Sequence, residues 1–138
     1  LPPSDLSLDE ERRSTMRLWL ILGATSAFLS VAAGAFGAHA LRARLAPDLL
    51  TIFETGARYH MYHSLALIAI GLLSQLRPSP LLNGAGWAMV AGILLFSGSL
   101  YALALSGVRV LGAITPLGGL GFLAGWLLFA LAAWRQTG

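Results

Sequence analysis

A chain of 138 residues that is 57% hydrophobic and 11% charged cannot hide its apolar surface in a soluble domain of that size, so the surplus must face lipid. Its nine basic residues are all Arg and lie scattered; a net charge of +3 without a basic stripe excludes nucleic acid as a partner. The absence of Cys excludes disulfides, thiolate metal sites and cysteine nucleophiles.

Residues 1–15 form a polar, Pro-led extension, read as a surface helix or a disordered segment. Ser7-Leu8-Asp9-Glu10 is a candidate capping box, and Met16 is a plausible start. Residues 16–138 then make a single domain. The basic lead Arg12, Arg13 and Arg17 before an apolar run imitates a secretory signal ending at Ala38-His39-Ala40. The apolar run exceeds a signal core, and the expectation is that it is retained.

Four apolar stretches follow, at about 18–40, 59–76, 85–105 and 108–134. Each approaches or exceeds the roughly 20 residues that a helix needs to cross hydrocarbon. The fold class is therefore all-α, a four-helix transmembrane bundle of up-down topology. Compositional bias toward Arg, Ala, Gly and Leu suggests a bacterial source and the inner (cytoplasmic) membrane. Arg42, Arg44, Arg58 and Arg109 fall on one face, and Arg12, Arg13, Arg17, Arg77 and Arg135 on the other. Without the extension that balance reverses, so it does not orient the bundle.

Helices in lipid pack through small residues. Span 1 offers Ser26, Ser30, Gly34 and Ala38, span 3 Gly84, Ala88 and Gly92, and span 4 the G-x-x-x-G pair Gly121 and Gly125. These stripes serve either packing within the chain or a homo-oligomer. Thr115-Pro116 reads as an N-cap followed by a first-turn proline. Helix 4 then starts there after an irregular lead-in at 108–114, a reading favoured by the flexibility of Gly112, Gly118 and Gly119; the alternative is one longer helix kinked at Pro116.

Alternating spans bring loops 1 and 3 to one face, and the unusual residues collect on it. The candidate functional face comprises His39, Gly56, Tyr59, His63, Ser97, Ser99, Tyr101, Thr115 and Pro116. His63 leads, because an ionisable group inside the bilayer is costly and often functional. A His39/His63 pair is the candidate cofactor set, for a metal or haem, a proton shuttle or a headgroup. The plainer reading is a histidine donating to a neighbouring carbonyl or hydroxyl. Glu54 and Arg58 have the favourable order for a helical ion pair but lie on the side of helix 2 away from His63. The Tyr and Trp residues suit the membrane interface. Ser97 and Ser99 bond across helices or back to their own carbonyls. No acidic residue lies inside a span, which counts against a proton-coupled drug antiporter. No catalytic set, zinc motif or phosphate loop is present.

The runs Gly34-Ala35-Phe36-Gly37-Ala38-His39-Ala40-Leu41, Phe53-Glu54-Thr55-Gly56-Ala57-Arg58-Tyr59-His60-Met61-Tyr62-His63-Ser64, Phe96-Ser97-Gly98-Ser99-Leu100-Tyr101 and Thr115-Pro116-Leu117-Gly118-Gly119 together resemble the small membrane family catalogued as domain of unknown function 423. The similarity spans about residues 17–134. It implies a four-helix inner-membrane protein, and it makes His60, often Gln in that family, less important than His63. No activity comes with it. The leading expectation is an accessory or assembly protein engaging a protein partner or membrane lipid at the loop 1/loop 3 face. The alternatives are a small oligomeric transporter or channel, and a histidine-based cofactor or redox protein.

Overall fold

A computed structural model describes residues 4–136. Helix α1 (Asp5–Phe36) runs without a break through the polar extension into the apolar stretch. Its cap is Ser4, whose hydroxyl accepts from the Ser7 amide at 3.3 Å, so Ser7 is already helical and the expected capping box is displaced. A π-turn at Gly37–Leu41 ends the rod. Helix α2 (Pro47–Leu76) carries Pro47 at its first turn. Helix α3 (Pro80–Gly92) is capped by Ser79, which accepts from the Leu82 amide at 3.1 Å. A π-segment at Ile93–Ser97 joins it to α4 (Gly98–Ser106) as one rod. Gly107, at φ 72°, closes α4 in the left-handed conformation that a side chain would strain.

A 3₁₀ turn at Arg109–Ala113 leads into α5 (Thr115–Gln136). The irregular lead-in to the last helix is therefore present, but Thr115 is the first helical residue and its hydroxyl is used elsewhere. Three helical stretches, Asp5–Leu41, Pro80–Ser106 and Arg109–Arg135, are long and apolar enough to cross a membrane. Helix α2 differs. It begins well before the expected 59 and, at 30 residues, is about 45 Å long. Its polar residues His60, His63, Ser64 and Ser74 are buried, because α1 and the α3–α4 rod pack along α2, while α5 packs mainly on α3 and the π-segment.

The core is a cluster of Trp19, Leu67, Ile70, Leu82, Met89 and Phe122. A smaller one at the loop 1 end joins Leu41, Phe53 and Ala104. Most of the small residues named above meet neighbours within the chain. Gly121 faces the Ala88 carbonyl and Gly92, Gly125 faces Met89, and Gly84 faces Leu128 at 3.4 Å. Gly92 leaves room for the Phe122 ring. Ser30 donates to the Ala57 carbonyl at 2.8 Å. Gly34 has nothing within 4 Å. The G-x-x-x-G of α5 is thus occupied by α3. Gly118 has a packing role rather than the expected hinge role: a Cβ there would overlap the Phe96 backbone, which the π-segment places against α5.

Candidate functional site

Polar chemistry concentrates on two sides of α2. On one side a cleft separates α1 from the α3–α4 rod, with α2 as its floor. Trp19 closes one end, donating to Asn83 at 3.0 Å and meeting Trp87 edge-on at 5.1 Å. At the other end Phe53 lies 4.9 Å from Tyr101. Between them a cavity of 320 Å³ is walled by Leu22, Leu29, Leu67, Val90, Ile93 and Leu94.

Four polar side chains beside this cleft bond in series, and their order is forced. Ser64 gives its only proton to the His60 carbonyl, 2.7 Å away. Ser26, 2.6 Å from Ser64, must then donate to it. Ser26 therefore accepts from His60 Nε2–H at 2.9 Å, and His60 Nδ1 accepts from the Tyr101 hydroxyl at 3.0 Å. This directed chain links α4, α2 and α1, and it leaves an almost wholly hydrocarbon wall toward the cleft.

On the other side, His63 sits in an aromatic box between α2 and α5. Its ring stacks on Phe122 at 3.4 Å and 6°, and Tyr59, Phe96 and Trp126 surround it. Nδ1–H donates to the Tyr59 carbonyl at 2.6 Å and Nε2 accepts from Trp126 Nε1–H at 3.2 Å. A carbonyl only accepts and an indole N–H only donates, so His63 is neutral with its proton on Nδ1. Neither nitrogen has a lone pair left for a metal or haem.

The residues expected on one functional face divide among these contacts. Gly56 presses on Tyr101 and Leu100, and its carbonyl accepts from Ser97 at 2.8 Å. Ser99 donates to the Phe96 carbonyl at 3.0 Å, so Thr115, 2.6 Å away, donates to Ser99. Tyr59 and Pro116 border the His63 box, Pro116 on its exposed rim. His39 stands apart. It is exposed on the π-turn, and α1 and α2 run antiparallel, with Gly37 against Phe53 and Gly23 against Ser64. That register puts His39 about 18 Å along the axis from His63, so the expected histidine pair does not form. Glu54 and Arg58 are exposed.

Three features escaped the sequence. His60, which the resemblance discounted, is as deeply built in as His63; its i, i+4 relation to Ser64 was the available signal. Trp126 is a hydrogen-bond donor to His63 as well as a packing residue. Arg109 pairs with Asp48 at the loop 1/loop 3 face, and this pairing holds the exposed Asp48 carboxyl below its ordinary value.

A family profile described as protein of unknown function (DUF423) matches residues 33–119. The chain is 47% identical over 123 residues to a UPF0382 membrane protein of Staphylococcus haemolyticus, covering 89% of this chain and all of that relative. It is 46% identical over 119 residues to the UPF0382 membrane protein YwdK of Bacillus subtilis, covering 86% of this chain and 97% of the relative. No solved structure matches it.

Proposed function

The chain belongs to the DUF423 family of membrane proteins, and from that premise we propose that it is an accessory protein of the bacterial inner membrane that crosses it four times and holds a lipid acyl chain in the side of its bundle. The observation that supports this is the cleft beside α2. Its walls come from the middles of α1 and the α3–α4 rod, the depth at which hydrocarbon is the only available solvent. Its 320 Å³ lies within the range of ligand sites. Its Ser26, His60, Ser97 and Tyr101 are committed to internal bonds, and Thr25 is the remaining polar side chain along it, so the cleft offers an occupant mainly apolar contact. Gly98, which lines the cleft and has nothing within 4 Å, leaves room for a chain beside α4.

The test is to fill that space. Gly98→Leu places an isobutyl group beside the cleft from a helical position whose Cβ meets nothing within 4 Å. Lipid released from purified wild-type protein and from Gly98→Leu is then counted by native mass spectrometry. The reading expects a tightly held lipid on the wild type and its loss from the variant at unchanged helicity. Equal lipid retention by the two proteins would remove it.

A further inference from the structure

We propose that a recess at the opposite end of the bundle binds the phosphate of an anionic phospholipid between Arg77 and Arg135. Helix α2 ends at Leu76 and α3 begins at Pro80, and the last turn of α5 comes alongside this short loop. A recess of 330 Å³ opens there, lined by both arginines, Ser79, Leu81 and Ala132. Among the described residues no acidic side chain lines it. Both guanidiniums follow directly on apolar helical segments, and the indole of Trp134, 78% exposed beside Arg135, suits the membrane–water interface. The recess therefore lies at headgroup depth.

The chemistry fits one class of ligand. Guanidinium forks match phosphate oxygens in paired hydrogen bonds, and with five N–H donors a guanidinium that already holds one partner keeps donors for a phosphate oxygen. The N-terminus of α3 adds partial positive charge from behind Ser79. Leu81 and Ala132 give the recess an apolar inner wall along which acyl chains descend. Basic pockets between membrane helices recognise phospholipid headgroups in this way. A second recess, of 470 Å³ on the other flank of Pro78-Ser79-Pro80, contains Glu11 as well as Arg12. Its charge is balanced, so it is not the phosphate site. The Arg77–Arg135 site lies away from the acyl-chain cleft and stands independently of it.

The full chain is reconstituted in nanodiscs of phosphatidylcholine doped with phosphatidylglycerol, and the lipids retained on release are counted by native mass spectrometry. The wild type should retain phosphatidylglycerol preferentially. Arg77→Gln with Arg135→Gln should reduce that preference about 25-fold, a factor of about five for each charge. Arg77→Lys with Arg135→Lys keeps the charge and should keep part of the preference, which separates a lost site from a lost fold. Arg42→Gln with Arg44→Gln, at the other face, should leave it unchanged. Equal retention of the two lipids, or an unchanged preference in the Arg77→Gln, Arg135→Gln protein, overturns the proposal. Displacement of the lipid by inorganic phosphate alone also overturns it, by assigning the recess to a soluble anion.

Discussion

His60 and His63, one turn apart on α2, hold opposite neutral tautomers. His60 keeps its proton on Nε2 because Ser64 and Ser26 fix the direction of one hydrogen-bond chain. His63 keeps its proton on Nδ1 because a carbonyl and an indole N–H bracket it. The two rings face different partner helices, and each fastens α2 to them. Their ¹⁵N shifts in lipid should show one Nε2–H and one Nδ1–H imidazole. Two rings of the same tautomer would contradict the hydrogen-bond order.

Tyr101→Phe removes the O–H that fills His60 Nδ1 and leaves that nitrogen unpaired beside the cleft. Buried hydrogen bonds between membrane helices contribute about 0.6 to 1.7 kcal/mol, so a loss of about 1 kcal/mol is expected from reversible unfolding in detergent. Tyr59→Phe should change stability less, since the bond beside it uses the Tyr59 backbone carbonyl. Equal losses from the two variants would contradict this assignment.

Two glycine substitutions should behave oppositely. In Gly118→Ala the new methyl meets the Phe96 backbone, which cannot rotate away, and overpacking of this kind costs about 1–3 kcal/mol. In Gly34→Ala the methyl meets nothing within 4 Å, and the helix should tolerate it or gain slightly. Thermal unfolding of the two proteins provides the comparison. A harmless Gly118→Ala would mean that α5 does not approach the π-segment so closely.

The Asp48–Arg109 contact joins α2 to the turn before α5. Because the folded carboxyl titrates below its unfolded value, which is about 3.9, its contribution is fully present above that pH. It is lost as pH falls through the lower folded value. The side-chain NMR signal of Arg109 should move toward its free position in that acid range, and in Asp48→Asn it should sit there at every pH. Both partners are largely exposed, so high salt should weaken the contact too.

The four-helix architecture was legible because apolar length is a strong signal, and Thr115-Pro116 correctly marked an irregular approach to the last helix. The full extent of α2 was not legible. Its polar residues lower its hydropathy, and nothing local says that His60, Ser64 and Ser74 turn inward. The resemblance ranked His60 below His63, whereas burial and bonding make the two alike. His39 and His63 looked like a pair because both lie toward one end of their spans. Helix register, which periodicity does not supply, separates them. The G-x-x-x-G of α5 was open to packing within or between chains, and which helix it would meet was not legible; in the structure Gly121 faces Ala88 and Gly92 of α3.

The most direct test of the lipid-holding account uses phospholipids with a photoreactive diazirine in the middle of the acyl chain. After irradiation in membranes, labelled positions are mapped by peptide mass spectrometry. The account expects adducts concentrated on the cleft walls at Leu29, Ile93 and Leu94, above those at Leu120 and Leu123 on the outer face of α5, and removed from the cleft by Gly98→Leu. Leu29 and Leu94 are 53% and 68% exposed, like Leu120 and Leu123 at 61% and 68%, so Ile93, 8% exposed, is the deciding position. Labelling that follows exposure and spares Ile93 would contradict lipid holding in the cleft.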